Sequence, residues 1–149
     1  MSKQRGRGKA YWSAVRLVTG QIFDELRIVG DDGETYYVTT TLRSYNAALD
    51  RWELVGMNEG GGLQDMGTGQ HVRPEVHIEQ KFGAAAQHPS TLGMRYYDMK
   101  PDRFSWTADR SADGGKTWSK DDQHIEARRI GPARSLGPLA DGKKLRDKL

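Results

Sequence analysis

The segment 39–45 carries the side chains best suited to hold a small molecule. Alternate residues of a strand share one face, which places Arg43 and Tyr45 together beside two threonines. If this face lines an interior, the guanidinium and the phenol offer a cation and a hydroxyl to an anionic or carbonyl ligand. Trp52 would then add an apolar wall. In the alternative interpretation, Leu42 on the opposite face is the core residue and Arg43 points to solvent.

A second chemical pattern lies near the end of the chain. His124 and Glu126 are two residues apart and share one face of a strand, and such a pair can transfer a proton. The same spacing is common on exposed sheet faces, and the sequence favours that interpretation. No catalytic residue is assigned. The candidate cavity-lining residues are Arg43, Tyr45, Trp52, Asn58, Tyr97, Trp106, His124 and Glu126.

The remaining residue types indicate no cofactor. The four histidines are His71, His77, His88 and His124, and none forms a His-x-His or His-x-x-x-His pair. Pro74 interrupts the strand that would otherwise bring His71 and His77 to one face. The absence of cysteine excludes disulfide and thiolate chemistry. We therefore predict neither a metal nor a haem site.

Basic residues are concentrated at the two ends of the chain. The net charge is +3, but residues 1–10 carry four basic groups and residues 131–149 carry five basic and two acidic groups. The body between them is mildly acidic and lacks a basic face interleaved with aromatic residues, so nucleic-acid binding is not predicted. We expect a basic arm over 1–10, one domain over 11–130, and a basic flexible tail over 131–149.

Apolar runs are only a few residues long, so no segment can span a bilayer as a helix. The basic N-terminus lacks the apolar stretch of a secretory signal. These features predict a cytoplasmic protein without membrane association.

Hydrophobic alternation and turn residues predict an all-β fold. Phe104, Trp106 and Ala108 alternate with polar residues, and Asp113-Gly114-Gly115 follows as a hairpin signal. About nine short strands joined by turns predict an antiparallel meander that closes into a barrel. Such a barrel removes exposed sheet edges and can hold one small ligand.

Three local features refine this prediction. The residues 63–66 are expected to form a short strand that ends in a turn at 67–69. Pro74 is expected to place the segment 70–82 at an edge, to bulge it or to break it. Trp106 and Trp118 are both expected to pack on the interior.

The pattern Ser-x-Asp-x-Gly-x-Thr-Trp at 111–118 resembles the Asp-box hairpin of sialidases. One copy in a chain of 149 residues is too little for a propeller. The favoured interpretation is a stable hairpin in which Ser111 and Asp113 bond backbone amides, glycine takes positive φ and Trp118 anchors the turn.

The segments 39–65 and 96–118 resemble the DUF1579 family of calycin-like, lipocalin-type β-barrels. The most specific pieces are Thr41-Leu42-Arg43-x-Tyr45-Asn46 with the Trp52 strand, and the turn 113–118 with the strand before it. The resemblance covers roughly 12–129 and implies a barrel that can enclose a cavity. It supplies no established catalytic residues.

The sequence departs from this family at its start, where the usual Phe-Leu-x-Gly-x-Trp strand has no counterpart. A missing strand would leave an open edge that can pair with a second copy, so a homodimer is expected. The preferred function is a barrel that binds a small hydrophobic or carboxylated molecule. The alternatives are an enzyme acting on a small carbonyl compound, with Arg43 polarising the carbonyl and His124 or Glu126 moving a proton, and an oligomeric scaffold with a solid core.

Overall fold

The computed structural model describes residues 7–58, 62–83 and 87–132, which form nine antiparallel strands and no helix. Each strand pairs with the next one along the chain, so that the order in the sheet is the order in the sequence. The sheet curves into a nearly closed barrel, and the predicted all-β meander is confirmed. The strands are β1 (Lys9–Arg16), β2 (Ile22–Val29), β3 (Thr35–Asn46), β4 (Arg51–Asn58), β5 (Gly62–Val72), β6 (Glu75–Phe82), β7 (Ser90–Tyr97), β8 (Arg103–Ser111) and β9 (Ser119–Arg128).

The interior of the barrel has an apolar half and a polar half. The apolar half is built by β4, β6, β7 and β8, because every second residue of these strands points inward. Its buried residues are Leu54, Ile78, Leu92, Met94, Trp106 and Ala108. The polar half is built by β2, β3 and β5, and its buried side chains are Asp24, Thr39, Thr41 and Asp65. This division determines which side chains a molecule inside the barrel would meet.

The seam between the first and last strands is closed by side chains rather than by a ladder. Across the described ranges, β1 pairs only with β2, and β9 pairs only with β8. The indole of Trp12 reaches from β1 to the ring of Phe104 on β8, edge to face, with 5.9 Å between the ring centroids. Such an aromatic pair contributes about 0.5–1.5 kcal/mol beyond its burial. The barrel is therefore held at this point by packing, and no ladder joins β1 to β9 among the residues that the structure describes.

The strand β5 corrects one local prediction. A turn at 67–69 is wrong, since β5 runs unbroken from Gly62 to Val72. Its glycines permit close packing against β6, because a Cβ on Gly67 would lie 2.7 Å from the Glu79 carbonyl oxygen. A Cβ on Gly69 would lie 2.9 Å from Cγ1 of Ile78. Gly67 and Gly69, which resembled turn residues in the sequence, are therefore needed for the close approach of β6.

Pro74 breaks the segment 70–82, which is one of the three outcomes predicted from the sequence. It lies in the two-residue turn between β5 and β6. Across this turn His71 lies opposite Val76, while His77 lies opposite Gln70. The two histidines therefore point to opposite faces of the sheet.

Lys9 and Ala10, which the sequence analysis assigned to the basic arm, belong to β1. The residues 1–6 of the basic arm and 133–149 of the basic tail lie outside the described residues.

The turn at 111–118 forms the hydrogen-bonded hairpin that the sequence predicts. The Oγ of Ser111 donates to Oδ1 of Asp113 and accepts from the Gly115 amide, at 2.9 and 2.8 Å. The Thr117 amide donates to Oδ1 of Asp113, and the Thr117 hydroxyl donates to Oδ2. Nε1 of Trp118 donates to the Gly115 carbonyl at 3.0 Å. The turn itself uses the hydrogen-bonding groups of Ser111, Asp113, Thr117 and Trp118.

Trp118 does not pack on the interior, which corrects the prediction for that residue. Trp106 is buried in the core as expected. The ring of Trp118 instead lies over Gly93, with 3.5 Å between Cζ3 and the position of an added Cβ. Gly93 faces outward because its neighbours Leu92 and Met94 face the core.

We expect Asp113→Ala to lower the melting temperature at pH 7, because the substitution removes acceptors for both the amide and the hydroxyl of Thr117. The hydrogen bonds from Thr117 and Ser111 lower the pKa of Asp113 from 3.8 to about 2. A lowered folded-state pKa stabilises the fold above 3.8, and this stabilisation is lost as the pH falls through about 2. Thermal melts followed by circular dichroism should therefore show a difference from wild type that shrinks below pH 3.8.

Lys116→Ala in the same turn is the matched control, since its exposed side chain takes no part in these bonds. A melting temperature lowered equally by both substitutions would show that Asp113 has no special role.

Candidate functional site

A buried ion pair lies in the polar half of the interior. Asp24 on β2 is 2% exposed, and its carboxylate accepts hydrogen bonds from Nε and Nη2 of Arg43 on β3, the latter at 3.4 Å. Burial works against the charge of Arg43, but the Tyr96 hydroxyl and the Asp24 carboxylate outweigh it and raise the pKa of the guanidinium. Arg43 is therefore charged, and its charge is already compensated inside the protein.

The strand register explains how this pair forms. Asp24 lies opposite Thr41, while Arg43 lies opposite Ile22. The two charged residues are thus diagonal neighbours on adjacent strands, a distance that a long side chain can bridge. Asp24 shares its face with Ile22 and Leu26, so an acidic residue on an apolar strand face was the sequence signal for this pair.

A second group of polar side chains lies at one end of the barrel, where β3 and β5 begin and β4 and β8 end. We call Tyr37, Asn58, Asp65 and Arg110 the mouth cluster. The Tyr37 hydroxyl donates to Oδ1 of Asn58 at 3.4 Å. Burial raises the pKa of Tyr37, the negative charge of Asp65 adds to this rise, and Arg110 opposes it. The phenol on β3 is therefore within electrostatic reach of charged groups on both β5 and β8.

Asp65 is the most unusual member of the mouth cluster. It is 0% exposed, and Oδ1 accepts a hydrogen bond from the Gly83 amide at 3.1 Å. Oδ2 is buried and has no hydrogen-bond partner among the described residues. Burial raises the pKa of this carboxyl, and the Gly83 bond only partly opposes the rise. Leaving such an oxygen unpaired costs about 1–3 kcal/mol.

Gly56 makes room for the Asp65 side chain. The two residues lie opposite each other on β4 and β5. A Cβ on Gly56 would lie 2.9 Å from Cβ of Asp65 and 3.0 Å from its Oδ2. The carboxyl group therefore lies flat over the glycine, against the inner wall.

The positive charge of Arg110 is compensated at the rim of the mouth cluster. Its Nε donates to Oδ2 of Asp122 on β9 at 2.9 Å, and its Nη1 donates to Oγ of Ser90 on β7 at 3.3 Å. The guanidinium is thus directed toward β7 and β9. Asp65 is left without an ion-pair partner among the side chains that the structure describes.

Most of the cavity candidates predicted from sequence face inward. Arg43, Trp52, Asn58 and Trp106 lie on the inner face. Tyr45 lies on the same face but beyond the core, where its hydroxyl donates to Asp50 and its ring packs 5.5 Å from that of Trp52. These residues do not form one constellation, because only Asn58 belongs to the mouth cluster.

Three candidates are on the outside, which contradicts their prediction as cavity residues. The guanidinium of Arg95 lies 4.8 Å above the ring of Tyr97 on the outer face. His124 and Glu126 contact each other at 2.7 Å and are more than half exposed. The reason is strand parity, since Ile125 between them packs against the core.

The outward position of His124 and Glu126 also rules out their proposed cooperation with Arg43. The wall of the barrel separates the two groups. Ser105 donates to Glu126 at 2.8 Å, so this carboxylate takes part in a surface network. The surface interpretation of the pair is confirmed.

Sequence reasoning missed Asp24, Tyr37, Asp65, Tyr96 and Arg110. The false turn at 67–69 concealed the parity of β5 and therefore the inward direction of Asp65. Tyr37 and Arg110 gave no local signal, because their roles depend on side chains of distant strands.

A surface depression of about 300 Å³ lies outside the same end of the barrel. Its lining includes Lys81, His88, Thr91 and Asp113. The carboxylate of Asp113 already accepts hydrogen bonds within the hairpin turn. Lys81 and Thr91 face away from the interior. This depression therefore does not join the mouth cluster.

Within the three described ranges, no group of three or more His, Asp or Glu side chains could hold a metal ion. The same residues include no helix that could cross a membrane. No protein-family model matches the chain, and no curated protein and no solved structure is significantly similar to it.

We expect Asp24→Ala to lower the free energy of unfolding by about 3 kcal/mol, because it leaves the buried charge of Arg43 unpaired. Replacing both partners, as Asp24→Leu with Arg43→Met, should recover most of this loss. Urea unfolding at neutral pH measures both effects. Glu25→Ala is the adjacent control and should change the free energy by less than about 1 kcal/mol, since Glu25 pairs with Arg27 in an exposed position. A double variant no more stable than Asp24→Ala would contradict the assignment.

We expect Gly56→Ala to destabilise the barrel by about 1–3 kcal/mol, because the added methyl group overlaps the Asp65 side chain. In the background of Asp65→Gly the same substitution should cost much less. A double-mutant cycle from chemical unfolding gives the coupling between the two sites. Additive effects would show that the close contact is not the cause.

Proposed function

We propose that this protein is a small-molecule-binding β-barrel whose anchoring site is the mouth cluster. The observation that carries the proposal is the buried oxygen Oδ2 of Asp65, which has no hydrogen-bond partner in the part of the chain that the structure describes. Buried polar atoms are almost always paired, and an exception calls for a functional explanation. A ligand that donates a hydrogen bond to this oxygen would remove the free-energy cost of leaving it unpaired.

The arrangement of the interior supports this proposal. The mouth cluster brings polar groups from four strands to one end of the barrel, next to an apolar half built by β4, β6, β7 and β8. Ligand sites in proteins commonly combine an apolar wall with a few convergent polar groups. The resemblance of 39–65 and 96–118 to the DUF1579 family also supports a lipocalin-like role.

The geometry bears on the kind of ligand. A carboxylated molecule anchored by Arg43 is disfavoured, because Asp24 already compensates that charge. The apolar half still suits a ligand with a hydrophobic body. The anchor in our proposal therefore moves from Arg43 and Tyr45 to Asp65 and Tyr37.

A second candidate function is acid–base catalysis by Asp65. Burial raises the pKa of this carboxyl, and catalytic acids and bases are tuned in this way. The reaction would use Asp65 rather than His124 or Glu126. Chemical conversion of a bound compound by wild type, and its loss in Asp65→Asn, would distinguish an enzyme from a binding protein.

Native mass spectrometry of gently purified protein tests the binding proposal. We expect wild type to carry a small-molecule adduct that is released on denaturation, and Asp65→Asn to lack it. Glu79→Gln is the matched control, because Glu79 is an exposed acidic residue on the outer face of β6 and should keep the adduct.

A clean apo mass, together with no thermal stabilisation by a broad metabolite and lipid panel, would overturn the proposal. It would favour the scaffold with a solid core. The same spectrum gives the subunit count, and a dimer would support our proposal that the free edges of β1 and β9 pair with a second copy.

A further inference from the structure

The charged groups inside the barrel leave one negative charge without a partner. Asp24 and Arg43 compensate each other, and Arg110 is paired with Asp122. Of the charged side chains described around the mouth cluster, Asp65 alone has no ion-pair partner. A buried carboxylate in this position must either take up a proton or meet a positive charge.

Hydrogen-bonding groups at the mouth show the same imbalance. Two donor groups of Arg110 are used by Asp122 and Ser90. The Tyr37 hydroxyl gives its proton to Asn58, and the Thr39 side chain bonds the phenol oxygen, so one lone pair of that oxygen is left to accept. Oδ2 of Asp65 is a further acceptor. The site therefore offers two acceptor oxygens to a ligand that donates.

We propose that the mouth cluster selects small molecules with a protonated amine head group, which Asp65 and Tyr37 bind together. This inference rests on the proposed function and specifies its ligand class. An ammonium group has three donors and a positive charge, which match Oδ2 of Asp65 and the oxygen of Tyr37. The hydrophobic part of the ligand lies against the apolar half of the interior.

Access to Oδ2 requires one local movement. The carboxyl group lies over Gly56 and is buried from solvent. Rotation of the Asp65 side chain away from Gly56 brings Oδ2 toward the barrel axis. The Gly83 amide, which donates to Oδ1, reports this movement directly.

Binding of an amine should be coupled to loss of a proton from Asp65. Burial raises the pKa of the free carboxyl, while a bound ammonium group stabilises the carboxylate and lowers it. Affinity for an amine therefore rises as the pH rises through the pKa of free Asp65. The ionisable groups that share the mouth cluster with this carboxyl are Tyr37 and Arg110, and Arg110 is paired with Asp122.

The test compares benzylamine, benzyl alcohol and benzoate, which share a ring and differ in the head group. Each is titrated into the full chain while amide chemical shifts are recorded. We expect benzylamine to shift the Gly83 amide and to bind more tightly as the pH rises from acid to neutral. Asp65→Asn should weaken benzylamine binding roughly tenfold or more and remove the pH dependence. Glu79→Gln should change neither.

The outcomes separate this inference from the proposed function. Equal or tighter binding of benzoate or benzyl alcohol at the Gly83 amide would overturn the amine specificity and leave a binding barrel. Benzylamine binding without pH dependence in wild type would also overturn it, and that readout does not require a variant to fold. No shift at Gly83 with any compound, combined with an apo mass and an inactive panel, would overturn both.

Discussion

Strand alternation in a nearly closed barrel forces every second side chain into one small interior, and the rest of the structure depends on how that space is filled. On β4 and β6–β8 most inward residues are apolar and pack as a core, and the buried Gln80 shares the inward face of β6 with Ile78. On β2, β3 and β5 they include charged and hydroxyl groups that cannot reach bulk water. The polar half must therefore satisfy its own hydrogen bonds.

The two buried acids solve this problem differently. Asp24 is neutralised by Arg43, and both oxygens of its carboxylate accept hydrogen bonds. Among the described residues, Asp65 accepts one hydrogen bond, from a backbone amide, and its second oxygen is unpaired. The contrast between a complete network and an incomplete one, in the same half of the interior, makes Asp65 rather than Arg43 the basis of the proposed site.

The outer surface carries the polar pairs that looked most chemical in the sequence. His124 and Glu126 are close together, but both are more than half exposed. Solvent screens such pairs, and they contribute little to stability. The hydrogen-bonded turn at 111–118 likewise serves the architecture, because it connects β8 to β9 and places Trp118 on the outer face over Gly93.

The sequence by itself determined the all-β class, the antiparallel order of the strands and the hairpin at 111–118. These features depend on contacts between residues that are close in the chain, and their periodicity and turn chemistry are visible locally. Tertiary structure decided which strand faces point inward and that Gly67 and Gly69 belong to a strand. It also decided that the Asp65 carboxyl group lies over Gly56 with one oxygen unpaired among the described residues. Those features depend on register and curvature across many strands, which no local pattern of residues contains.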